Sequence, residues 1–178
     1  MFGTSIMKLV ALFTLLLSTA CFAKPEVIAV SENGFIVENK VHIAAPADEV
    51  WRALITDIDK WWPKSHSWWG EEGQFTLQAN AGGCFCEVAG NRSAQHMQVV
   101  FVDPLKLLRM TGGLGPLQGM GVFGSLDWVF ESVSNGTQIT LTYRVQGFTP
   151  DGFSKLAPVV AEVQGLQLQG LANYLAND

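Results

Sequence analysis

The feature that most constrains this chain is a change of hydrophobic period near residue 150. Before it, apolar residues recur at every second position in short runs separated by Gly, Asn, Asp and Pro. The clearest run is Thr137 to Val145, which sets Ile139, Leu141, Tyr143 and Val145 on one face. After it, Leu156, Val160, Val163, Leu171 and Tyr174 recur at three or four positions or multiples of them, the mark of one long amphipathic helix. A strand pattern of the first kind belongs to an antiparallel sheet wet on one side. Its dry face needs a cover, and the final helix is the element available to supply it. The chain is therefore read as an α+β domain, a curved antiparallel β-sheet wrapped around a long C-terminal α-helix.

The rest of the order follows from punctuation. Phe35 to Ile43 gives the first strand signal. Pro46, Asp48 and Glu49 open a helix whose apolar face is Val50, Trp51, Leu54 and Ile55, with the acids at the positive end of its dipole. Residues 61 to 69 hold Trp61, Trp62, Trp68 and Trp69, and Pro63 and Gly70 make that segment irregular. Six strands are then expected, near Phe75–Ala79, Cys84–Val88, Met97–Val102, Leu105–Met110, Leu126–Glu131 and Thr137–Val145. Gly165 and Gly170 are poor helix formers and are expected to let the last helix approach the sheet closely. Space left between a curved sheet and one helix makes an internal cavity.

Lys8, the apolar run Leu9 to Leu17 and the small residues up to Ala23 read as a secretory signal peptide over residues 1–23. The run is too short to span a membrane. A single domain over residues 24–178 would remain, in the periplasm or outside the cell. The alternative is cleavage before Cys21 and its lipidation, which is the only route to a membrane anchor considered. Hydrophobic residues make up 48% of the chain and charged residues 15%, which excludes general disorder. The net charge of −5 offers no footprint for nucleic acid.

Several local sequences carry a resemblance. They are His42-Ile43-Ala44-Ala45-Pro46-Ala47-Asp48-Glu49-Val50-Trp51, then Gly82-Gly83 with Phe85 and Glu87, Val102-Asp103-Pro104-Leu105, and Gly136-Thr137-Gln138-Ile139-Thr140-Leu141-Thr142-Tyr143. Together they resemble the SRPBCC (START-like, Bet v-like) helix-grip superfamily over roughly residues 35 to 176. The branch resembled is the one named after the activator of a heat-shock-protein ATPase, also called polyketide cyclase-like. The resemblance implies a helix-grip fold with a cavity. Its members include lipid carriers, hormone receptors, aromatase/cyclases and co-chaperone domains. The matching motifs are structural, so no catalytic residue is carried over.

Alternation aims Phe85, Leu108, Met110, Trp128, Phe130 and Tyr143 at the concave side, beneath Val160 and Val163. These residues, with Trp62 and Trp69 of the tryptophan cluster, are the expected ligand-binding set. The cluster either gates the cavity mouth or closes the open end of the sheet as core. Glu87 lies two positions from Phe85 and so shares its face. In an apolar cavity its pKa would rise, making it an acid–base candidate beside Tyr143. The plainer expectation is a solvated strand carboxylate or a partner for Arg92 or Arg109. Cys84 and Cys86 face away from Phe85, at a spacing that makes a bridge awkward on a regular strand, and are expected as free or weakly oxidised thiols. With His96 or Met97 near Cys86 they would fall short of a closed metal site, so neither metal nor cofactor is expected. Gly113 to Gly119 lacks the Lys and Ser/Thr of a phosphate loop and reads as a flexible cover over the sheet end.

The reading that follows is an exported binding protein for a small hydrophobic molecule, lipid-like or aromatic. The alternatives are a cyclase/dehydratase-type enzyme using acid–base residues of the same cavity, and a co-chaperone-like interaction module. A signal peptide argues against a cytosolic chaperone as partner.

Overall fold

The structure, a computed structural model, describes residues 25–177. The expected signal peptide, cleavage before Lys24 and the Cys21 alternative all lie outside those residues. Eight strands form one antiparallel sheet: β1 Glu26–Ser31, β2 Gly34–Ile43, β3 Gln74–Leu77, β4 Cys84–Ala89, β5 Arg92–Asp103, β6 Leu107–Gly112, β7 Phe123–Val133 and β8 Gly136–Gln146. Their order is β1-β2-β8-β7-β6-β5-β4-β3. Helices α1 (Ala47–Thr56) and α2 (Ile58–Trp61) join the two ends of the sheet, and α3 (Pro116–Gly119) is a single turn. Helix α4 (Leu156–Ala176) crosses the concave face, lying mainly on β2. The expected α+β helix-grip architecture is the observed one. The first strand, β1, carries little alternation and is exposed along its whole length, which is why the sequence pattern does not announce it.

Burial follows alternation along β8, where Ile139, Leu141, Tyr143 and Val145 are inward. Cross-strand pairing sets Leu108 beside Trp128 and Trp128 beside Leu141, so one row of large apolar side chains runs across the middle of the sheet. The helix that covers this row buries Ala157, Ala161, Leu168 and Leu171, while Val160 and Val163 are only half-buried on its flank. Gly165 is where α4 meets the sheet: an added Cβ would lie 3.0 Å from Asn39 Oδ1 on β2. Gly170 has Trp61 and Pro63 as its nearest neighbours, and not the sheet. It packs on α2, where a Cβ would come within 2.6 Å of the Trp61 carbonyl oxygen.

Two local irregularities shape the far end of the sheet. The β4–β5 register shifts between Phe85 and Cys86, so that Phe85 opposes Met97 and Cys86 opposes Gln95. His96 is the extra residue of this bulge. Bulges re-aim side chains, and here His96 and Met97 are both buried although adjacent. The cysteines of β4 are not the free or weakly oxidised thiols expected. Cys84 and Cys86 form a disulfide, with Cα atoms 5.4 Å apart. A regular strand advances about 6.6–6.8 Å over two residues; this stretch of β4 is contracted to a separation common for bridged cysteines. Neither His96 nor Met97 approaches the sulfurs as a ligand, since both turn to the concave side.

Candidate functional site

A cavity of about 370 Å³ opens between α4, the tryptophan-rich segment and the residue 113–121 loop. Its wall is mainly apolar, with Trp62, Leu114, Leu117, Tyr143, Val160 and Val163 prominent. Ser65, His66, Ser67, His96, Gln164 and Gln167 supply its polar atoms, and no Lys, Arg, Asp or Glu contributes. Trp68, Met120 and Val159 belong to the wall yet remain exposed, and so form its rim.

Of the residues expected to bind a ligand, Trp62, Tyr143, Val160 and Val163 line this cavity. Leu108, Met110, Trp128 and Phe130 are inward but buried in the core away from it. Phe85 lies behind the wall, with its ring 4.9 Å from that of Trp62 and 5.2 Å from His96. Trp69 stands outside, where the Arg92 guanidinium sits 5.5 Å over its ring. The tryptophan cluster thus divides. Trp61 and Trp62 are core, their indole N–H groups donating to the carbonyls of Ala53 and His66. Trp68 is 49% exposed at the rim.

Glu87 departs most from expectation. It is neither solvated nor paired with arginine. Arg92 pairs with Glu72, and Arg109 with Asp127. The Glu87 side chain is fully buried. It accepts from Ser67 Oγ at 2.5 Å, from the Trp68 and Trp69 backbone N–H groups at 3.2 and 3.3 Å, and from His96 Nε2 at 2.9 Å. Gly73 makes room for this arrangement, because a Cβ there would lie 2.2 Å from Glu87 Oε1. Burial pushes the carboxyl pKa up, but the Ser67 hydroxyl, the Trp68 N–H and His96 outweigh it and hold it below the ordinary 4.5. An acid–base role resting on a raised Glu87 pKa is therefore set aside.

His96, which sequence reasoning offered with Met97 as a possible neighbour of Cys86, is instead the partner of Glu87. Its ring packs against those of Phe75 and Phe85, 5.6 and 5.2 Å away, and the two phenylalanine rings touch each other at 5.9 Å, so the three form a triangle. Burial there pulls its pKa below the ordinary 6.5, against the opposing pull of Glu87. An ionised Glu87 beside a neutral imidazole requires the proton on Nε2, which leaves Nδ1 with a lone pair. A regular strand would have turned either His96 or Met97 outward. Only the bulge brings both inward, and a bulge leaves no period-two signal to read.

Tyr143 is a fastening. Its hydroxyl donates to the Gly112 carbonyl at 2.8 Å and accepts from the Leu114 N–H at 3.2 Å. Burial pushes its pKa up to about 12, so it stays protonated near neutrality and presents a tied hydroxyl to the cavity. Among the described residues, no three His, Cys, Asp or Glu side chains gather to hold a metal ion, and no helix is long and apolar enough to cross a membrane.

A curved antiparallel sheet gripping one long helix over an apolar cavity defines a helix-grip protein. The chain belongs to the polyketide cyclase/dehydrase and lipid transport family, which its sequence matches over residues 35–176. Solved structures agree on the fold. CalU16 from Micromonospora echinospora is similar with a TM-score of 0.58 at 14% identity, covering 86% of each chain. A protein from Rhizobium leguminosarum gives a TM-score of 0.56 at 17% identity, covering 89% of this chain and 100% of its own. The protein NE0264 from Nitrosomonas europaea gives 0.57 at 18%, covering 84% and 97%. No curated protein matches the sequence significantly.

Proposed function

We propose that this protein binds a small hydrophobic molecule in the cavity beneath α4. The observation that carries the reading is the mainly apolar wall of a space of about 370 Å³, free of charged side chains. That size and lining are those of small-molecule sites. The family match to lipid transport and cyclase/dehydrase proteins supports the same reading.

The test is titration of N-phenyl-1-naphthylamine, an uncharged fluorescent probe. At about 25 cal/mol per Å², burial of roughly 200–300 Å² of its apolar area contributes on the order of 5–7 kcal/mol before association costs. Binding in the micromolar to millimolar range is expected, with little dependence on salt. Val163→Trp places an indole in the cavity and should weaken binding about tenfold or more while leaving the thermal melt nearly unchanged. Absent binding, or binding that Val163→Trp leaves intact, would refute the assignment.

A second reading is favoured by one observation, the buried Glu87–His96 pair in contact with the cavity. A carboxylate that orients an imidazole and leaves its other nitrogen unprotonated is an arrangement for general-base chemistry. In that reading Glu87 positions His96, and His96 takes the proton. Native mass spectrometry of protein from its own host separates the two: a carrier retains an unchanged ligand, and an enzyme alters its mass.

Export is part of the proposal and rests on Lys8 and the run Leu9 to Leu17. Intact-mass measurement should find the mature chain beginning at Lys24. A full-length cytoplasmic product would overturn this, and a lipid-bearing Cys21 would replace it with the anchored form.

A further inference from the structure

The polar atoms of the cavity wall are unequally employed. Ser67 is committed to Glu87, and the Tyr143 hydroxyl to the backbone on either side of Gly113. Gln164 is not fully committed. It is 2% exposed, its Nε2 donates to Gln167 Oε1 at 2.9 Å, and its Oε1 has no partner. His66, also in the wall, has a buried Nδ1 without a partner. A buried polar atom left unpaired is costly, and a ligand that pairs it recovers that cost on binding.

We propose that the cavity selects an uncharged apolar molecule bearing a hydroxyl group, which meets the Gln164 amide, and rejects the corresponding carboxylate. The inference rests on the binding reading above and deepens it. A hydroxyl both donates and accepts, so it satisfies the free end of the Gln164–Gln167 amide pair whichever way round the two amides are set. Gln164 is part of the cavity wall, so a ligand held there lies beside it. A carboxylate accepts only, and it brings a charge into a wall without Lys or Arg. Behind the wall stands Glu87, itself an anion bonded to the wall residues His96 and Ser67. Burial pulls both His66 and His96 below 6.5, so neither offers a countercharge at neutral pH.

Three ligands of one ring system test this at pH 7.5 by calorimetric titration of the purified protein: naphthalene, 2-naphthol and 2-naphthoate. The naphthol should bind about five- to tenfold tighter than naphthalene, as one recovered hydrogen bond allows. The naphthoate should bind at least about tenfold more weakly than naphthalene, because its charge is desolvated without a partner. In Gln164→Leu the ratio of naphthol to naphthalene affinity should fall to within about twofold of one, whatever the variant does to naphthalene itself. A naphthoate that matches or exceeds the naphthol, or a naphthol with no advantage in the wild type, overturns the hydroxyl assignment while apolar binding stands. An advantage that survives Gln164→Leu overturns the placement at Gln164. Failure of all three ligands to bind overturns the binding reading as well. The wild-type series decides selectivity even if the variant does not fold.

Discussion

Glu87→Leu is expected to destabilise the protein by about 3–5 kcal/mol, because each buried donor left unsatisfied costs about 1–3 kcal/mol. The substitution removes the acceptor for four donors at once: the Ser67 hydroxyl, two backbone N–H groups and His96. Leucine offers none of them a replacement, and the segment carrying Ser67 and Trp68 loses its attachment to β4. Urea unfolding of the variant against the wild type measures the loss. Glu72→Ala is the control, since the Glu72–Arg92 pair is exposed and should be worth under about 1 kcal/mol. A loss of that small size at Glu87 would show that the carboxylate does not hold the segment. The same network fixes the sign of the pH dependence. His66 and His96 have folded pKa values below 6.5, so the unfolded chain binds protons first as pH falls. Stability is therefore lost from about pH 6.5 downward. Glu87, Glu38, Asp57 and Asp59 are also depressed, and their contributions, present above the ordinary 4.5 and 3.8, are lost below those values. The double variant His66→Gln with His96→Gln should flatten the upper limb between about pH 6.5 and 5, while the lower limb persists through Glu38, Asp57 and Asp59.

Trp128→Ala is expected to cost about 3–5 kcal/mol, as a large-to-small change in the core. Trp128 is 1% exposed, lies 6.2 Å ring to ring from Trp61, and sits in the row with Leu108 and Leu141. It does not line the cavity, and its indole Nε1 has no partner, so the loss is one of packing alone. Probe affinity of the folded fraction should stay within about threefold of the wild type, since the removed ring lies outside the binding wall. Thermal melts beside probe titrations of both forms check the two halves of this statement. A stable variant with strongly weakened binding would place Trp128 in the pocket after all.

What could be read in the sequence was whatever period carries. The clean alternation of β8 located Tyr143 on the concave side, and the helical spacing of Val160 and Val163 set them on the cavity flank of α4. Period also tied Glu87 to the face of Phe85. It could not report what surrounds Glu87, because its partners come from a turn twenty residues earlier and from a bulge. Alternation gives a direction and no depth, so Leu108, Met110, Trp128 and Phe130 share the inward face of Tyr143 while lying away from the cavity. Gln164 and Gln167 went unread because glutamine on a helix is ordinarily a solvent residue. The Cys84–Cys86 bridge likewise depends on a contraction of β4 to 5.4 Å between the two Cα atoms, which spacing alone does not encode.

The hydroxyl of Tyr143 holds the chain on both sides of Gly113, and this limits how the cavity can open. The hinge of the overlying loop is nailed down at that point. Any swing on this side has to begin beyond it, at Gly115 (φ +58°), and end at Gly121 (φ +67°). Between those pivots one side-chain bond, Gln118 Nε2 to the Gln95 carbonyl at 2.7 Å, moors the segment to the sheet. That bond is on the surface and worth about 1 kcal/mol. Leu117, buried in the core, and the Val122 N–H that donates to its carbonyl at 3.0 Å hold the same segment from within.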